Sequence, residues 1–165
     1  MNPRIAKIAL VAAVAFFYSL VVFNNLTDFD SNYQFVRHVL MMDSTFPGNH
    51  GMWRAINVPV VHIAFYIGII IWEIVTTLLL WWGVARMLAA IRFPARRFHA
   101  AKQIASAALT LSLLMWLVAF LAVGGEWFLM WQSRTWNGQD AAARNFAVVA
   151  LVLLILAQQE TDAHI

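Results

Sequence analysis

Four long apolar runs divide this chain, at about residues 5–23, 58–82, 104–125 and 141–157. A helix crossing the hydrocarbon core of a bilayer, roughly 30 Å thick, needs about 20 mostly apolar residues. Within that core every backbone N–H and C=O must find a partner in the protein, and a helix supplies those partners internally. The runs therefore point to an all-α fold, an integral membrane four-helix bundle. The fourth run is the shortest. Only 146–157 is continuously apolar, so Arg144 has to snorkel towards the headgroups for that segment to cross.

At 62% hydrophobic and 12% charged, the chain is too apolar for a soluble domain, where about 25% charge is usual. Its 165 residues form a single transmembrane domain with no room for a second one. Cysteine is absent, which excludes disulfides, thiolate metal sites and thiol catalysis. The apolar stretch after Arg4 and Lys7 runs on to Phe23 and ends in Phe23-Asn24-Asn25-Leu26. It is longer than a signal-peptide core and lacks a small-residue cleavage pattern, so it reads as an uncleaved first span.

Basic residues sit at the ends of the runs, which is a topology signal rather than a nucleic-acid footprint. Arg4 and Lys7 precede the first span, and the 83–103 connection carries Arg86, Arg92, Arg96, Arg97 and Lys102. The 24–57 connection has Arg37 and Arg54, and the other outward segment, 126–140, has Arg134, with Arg144 just beyond it. By the positive-inside rule, both termini and residues 83–103 are expected in the cytoplasm, with 24–57 and 126–140 on the opposite face.

Those two outward segments are richer than plain connectors. In the first, Ser31 is a candidate N-cap for a short amphipathic helix whose stripe is Phe35, Val36, Val39, Leu40 and Met42. Such a helix rests at the membrane surface or against the spans. Asn24, Asn25, Asp28, Asn32, Arg37, His38, Asp43 and Arg54 give this segment its polar character. In the second, Trp127, Trp131 and Trp136 are interleaved with Glu126, Gln132 and Asn137. An aromatic belt at headgroup level accounts for the tryptophans but not for the polar residues among them.

Inside the membrane, the second span carries Glu73 beyond its midpoint. A charge near the bilayer centre costs about 2.5–3.5 kcal/mol on insertion scales. His62, Tyr66 and Glu73 lie within roughly 40° of one another on a helical wheel, flanked by Thr76 and Thr77. This polar face is expected to point into the bundle. Matching by depth suggests Thr110 or Ser112 of the third span, or Lys7 of the first, as partners for Glu73. The same matching puts His62 level with Asn24, Asn25, Glu126 and Arg144. The plain reading is that these side chains lock helices together by hydrogen bonds. The functional reading is a site for protons, a quinone headgroup or a lipid.

Other chemistries find little support. Asp28-x-Asp30-x-Asn32 imitates a calcium loop, but its twelfth position is Val39 and its sixth is not glycine. Of the histidines only His62 lies within a span, which leaves haem short of a facing ligand unless His38 or His50 supplies one. Nucleophile-elbow, zinc-protease, phosphate-loop and dinucleotide motifs are missing, so the chain reads as a non-enzyme. No cofactor is expected, with haem or quinone as the minor alternative.

Taken together, Asn24-Asn25-Leu26-Thr27-Asp28, Phe35-Val36-Arg37-His38-Val39, Trp53-Arg54-Ala55-Ile56, Trp72-Glu73, Gly124-Gly125-Glu126-Trp127-Phe128, Met130-Trp131-Gln132-Ser133 and Trp136-Asn137-Gly138-Gln139 are distinctive as a set. Over nearly its whole length the chain resembles a bacterial family known as small integral membrane proteins with a domain of unknown function. The resemblance implies four spans and an inner-membrane location, and it supplies no activity. Two functions are then expected. The first is a non-catalytic accessory or assembly subunit of a larger inner-membrane complex, respiratory for instance, docking through the outward segments. The alternative is a small-molecule site in the bundle centred on His62 and Glu73. Expected partners are membrane lipid and either another membrane protein or a second copy, through the Gly124-Gly125 end or the tryptophan-rich segment; nucleic acid is not one.

Overall fold

Asn2 and Pro3 open the first helix. The Asn2 side chain accepts a hydrogen bond from Arg4 N at 3.0 Å, and Pro3 fills a first-turn position where no N–H is needed. In the computed structural model, which describes residues 2–160, this helix is α1, Pro3–Thr27. Asp28 leaves helical geometry at φ −128°, ψ 64°, and α2, Phe29–Met41, follows. A 3₁₀ turn at His50–Arg54 leads to α3, Pro59–Ala90, again with proline at its start. Then come α4, Ala95–Ala101, and α5, Gln103–Leu114. The same rod continues as a π-helix over Met115–Trp127, and Phe128 N bonds the carbonyl of Val123, five residues back. After a 3₁₀ turn at Met130–Gln132, α6 spans Gln139–Ala157.

Among the described residues, four helical stretches are long and apolar enough to cross a membrane: Pro3–Thr27, Pro59–Ala90, Ala95–Trp127 and Gln139–Ala157. They pack as a closed ring, α1 on α3, α3 on α5, the α5 rod on α6, and α6 back on α1. Lipid tails are as apolar as leucine, so close packing, rather than the hydrophobic effect, holds such helices together. Small residues make that possible where α3 meets α5. A Cβ placed on Gly83 would lie 2.8 Å from the backbone of Ala105. Ala101, Ala105 and Ala108 are buried along the same seam. Several hydroxyls inside the spans are spent locally: Ser19, Thr27, Thr77 and Thr110 each donate to the carbonyl four residues back.

The amphipathic helix rests against a span. The Phe29 ring lies 4.7 Å from that of Tyr66, and Ile56 N donates to Leu40 O at 2.8 Å, so α2 runs beside the first turns of α3. Its cap is Asp28 rather than the expected Ser31, whose hydroxyl instead donates to Asp28 Oδ2 at 2.7 Å. The stripe of α2 closes a second small core, Val39, Leu40 and Met42 against Phe128 and Met130. Around it the two long connections are tied together. Ser44 donates to Ser133 at 2.8 Å, Gln132 Oε1 accepts from Phe46 N at 3.0 Å, and Arg54 donates to Trp127 O at 3.0 Å.

At the opposite, basic end the start of α1 and the residues just after α6 converge with the α3–α4 turn. Arg4 Nη1 donates to Ile91 O at 2.9 Å and Phe93 O at 2.6 Å. Lys7 and Lys102 both donate to Gln158 O at 2.9 Å, and both reach Glu160 Oε1, at 2.5 and 3.0 Å. All three side chains are buried. This cluster fastens the end of α6 to α1 and to the start of α5.

Candidate functional site

Glu73 is buried, and its neighbours are neutral. Asn25 Nδ2 donates to Glu73 Oε2 at 2.6 Å. The Oδ1 of the same Asn25 accepts from Asn32 Nδ2 at 2.6 Å and from Tyr66 OH at 3.2 Å. Two donors on Oδ1 orient the amide so that its NH₂ faces the carboxylate. Asn25 is thus the hub of a network drawing on α1, α2 and α3. It runs from exposed Asn32 to Glu73 in the interior.

Depth matching had paired Glu73 differently, and the pairings fail for separate reasons. Lys7 is engaged by Gln158 and Glu160. Ser112 does share the level of Glu73, since the neighbouring Trp72 donates to Leu111 O at 3.1 Å. Its hydroxyl, however, bonds Tyr18 OH at 2.6 Å. Thr110 is exposed and bonds Ser106 O, so it does not belong to the interior polar face. Asn25 sits with Glu73 rather than with His62 because α1 ends beside the middle of α3. The part of α3 before Glu73, about 20 Å at 1.5 Å per residue, is flanked by α2 instead.

His62, Tyr66, Glu73 and Thr76 are all buried, but only Tyr66 and Glu73 share the network. His62 Nε2 donates to Ile56 O at 2.7 Å, which closes the turn into α3, and Nδ1 has no partner. Thr76 Oγ1 is also buried without a partner, and Thr77 serves its own helix. With Nε2 committed to a backbone carbonyl, the His62 ring is held by the turn into α3.

Most of the remaining predicted residues build the aromatic end. His38 Nδ1 meets Asp43 Oδ2 at 2.6 Å while its ring stacks on Trp136, with centroids 4.6 Å apart. Arg37 donates to Gln34 at 3.2 Å. Arg54 lies over the rings of Trp53 and Trp127, at 5.6 and 5.4 Å. The Trp131 ring meets Phe46 edge-on, and Asn137 Oδ1 accepts from Gln139 N at 3.0 Å. Asn24 and Glu126 are exposed. Asp28, Asp30 and Asn32 bond separately to Ser31, Gln34 and Asn25. Gly124 and Gly125 are buried against Met130 and Gln139 of the same chain.

The network opens onto space. A cavity of about 260 Å³ is lined by Asn25, Asn32, Tyr66 and Glu73 together with Phe35, Trp116 and Phe120. Beside it is a second cavity of about 210 Å³ with an almost wholly apolar wall, including Phe65, Trp72, Val123 and Met130. Phe35, Val36, Ile69 and Phe120 line both. Glu73 Oε1 makes no hydrogen bond. The crevice therefore has an acceptor at one end and hydrocarbon at the other, which suits one amphipathic molecule. Trp116 and Phe120 were not singled out in the sequence. Both stand in the π-helical stretch, whose wider turn changes which residues face inward and is not encoded by any 3.6-residue periodicity.

No curated protein and no solved structure matches the chain. A family model does match, across residues 3–159, and its description is predicted small integral membrane protein. With that match covering nearly the whole sequence, the chain belongs to this family, DUF2165.

Proposed function

We propose that this multi-pass membrane protein binds a small amphiphile, whose polar head sits against Glu73 and Asn25 and whose tail fills the adjoining apolar cavity. The observation that carries the reading is the buried carboxylate with an unpaired oxygen in the wall of a cavity. The second oxygen is not one of the buried atoms cut off from space, so it is open to a donor or cation entering the cavity. No nucleophile–base pair accompanies the network, so binding or carriage of the molecule, rather than its chemical conversion, is the function proposed. The distribution of basic residues supports a bacterial inner membrane with the basic end in the cytoplasm. The test is native mass spectrometry of protein purified from its own membranes in mild detergent. The expected result is a retained small molecule, lost in Glu73→Ala; a bare mass in both proteins would refute the reading.

A second reading, an accessory subunit of a larger membrane complex, draws on the aromatic end. There Trp53 is 75% exposed and Phe46 54%, beside exposed Trp127 and Trp131. A stoichiometric protein partner in the same spectra, released by Trp53→Ala with Trp131→Ala, would support it. Purely monomeric spectra would count against it.

A further inference from the structure

Accepting that amphiphile site, the chemistry of its wall narrows the headgroup. We infer that the molecule is an organic cation, an amine or quaternary ammonium carrying a hydrocarbon tail. Three observations converge. The carboxylate of Glu73 has no basic partner among the described residues, and no lysine, arginine or histidine lines its cavity. A carboxylate in a low-dielectric interior is favoured by an opposite charge close by, and here the protein supplies none. The third observation is the aromatic wall. Phe35, Tyr66, Trp116 and Phe120 all line the cavity. The ring of Phe120 lies 6.4 Å from that of Phe35 and 4.9 Å from that of Trp116, so these three form a continuous panel.

Aromatic faces carry negative charge density and attract ammonium groups, most strongly where water is excluded. A carboxylate facing such a panel attracts a monocation from both sides. For an anionic head the same groups are repulsive. A neutral quinone head could use the Asn25 and Tyr66 network but would leave the unpaired Glu73 oxygen without a counter-charge. The apolar neighbouring cavity, with Met130 and Phe128 in its wall, accepts an alkyl or aryl tail of variable shape.

The test compares octyltrimethylammonium with a short-tailed neutral quinone by titration calorimetry, using the full chain in an uncharged maltoside detergent. Wild type is set against Glu73→Gln, which keeps an acceptor for Asn25, and against Phe120→Leu, which thins the panel. The expected result is ammonium binding that weakens about tenfold or more in Glu73→Gln and by a smaller factor in Phe120→Leu. Ammonium uptake equal in wild type and Glu73→Gln would reflect partition into micelles and overturn the inference. Binding of the quinone alone, sensitive to Glu73→Gln, would overturn it too while leaving the amphiphile site standing. Binding of neither probe would remove both.

Discussion

Buried charge occurs at two levels of this bundle, and the two are handled in opposite ways. At the basic end Lys7, Lys102 and Glu160 are buried together, and the carboxylate oxygen Oε1 accepts from both ammonium groups. Beside the middle of α3, Glu73 is as deeply buried, yet its one bonded partner through the side chain is a neutral amide. Both clusters join three helical segments. There the carboxylate meets its counter-charges within the protein, so the lysine cluster reads as a fastening. On the proposed reading, Glu73, with neutral donors around it and a cavity beside it, is left for a ligand to complete.

The comparison predicts unequal responses to substitution. Glu160→Ala strands two buried ammonium groups, and breaking a buried pair from one side costs about 3–5 kcal/mol. A large drop in the melting temperature of the detergent-solubilised protein is expected, partly restored by Lys102→Met in the same chain. Asn25→Ala comes next. It leaves the Tyr66 hydroxyl, the Asn32 amide and Glu73 Oε2 without their shared partner, for a cost of about 1–3 kcal/mol. Glu73→Gln should be the mildest of the three. The replacement still accepts from Asn25, and hydrogen bonds inside membranes average about 0.6 kcal/mol. If its melting temperature fell as far as that of Glu160→Ala, Glu73 would be a fastening as well.

Acidification probes the same contrast from the basic end. Burial by itself would raise the Glu160 carboxyl, but the hydrogen bonds and charges of Lys7 and Lys102 outweigh it and hold the group below its ordinary value. A depressed carboxyl stabilises the fold above the unfolded value, about 4.3, and that contribution is lost as pH falls through the folded value. The fastening should thus hold at neutral pH and release only in strong acid. A fluorophore attached through Gln159→Cys would report the release as a change in anisotropy, and a transition near neutrality would contradict the pairing.

Much of this was legible in the residues and some was not. Run length and the placement of Arg and Lys specify helices, their number and which connections share an end, because bilayer thickness and charge are coarse constraints. The intramembrane Glu73 and its companion Tyr66 stood out for the same reason. Asn25 was noticed but placed one level too high, since depth matching assumed that every span begins at the same plane. Asp28 breaks the first rod early, and α2 completes its length, which no hydropathy profile shows. Glu160 carries no signal of its own because it follows the last apolar run; of its partners, Lys102 reads as an inside-facing charge and Lys7 as that or as a partner for Glu73. The cavity wall at Trp116 and Phe120 depends on π-helical turns, whose register has no signature in apolar spacing.

The most direct measurement is the site of modification by a membrane-soluble carbodiimide, read by peptide mapping of the native bundle. Such a reagent reaches protonated carboxyls from the apolar phase, so a carboxyl without a counter-charge in the protein reacts while one kept ionised by ammonium groups does not. Labelling of Glu73 with Glu160 left untouched, and protection of Glu73 by a bound amphiphile, is the predicted outcome. Labelling of Glu160 with Glu73 spared would place the open charge at the wrong end and contradict the account.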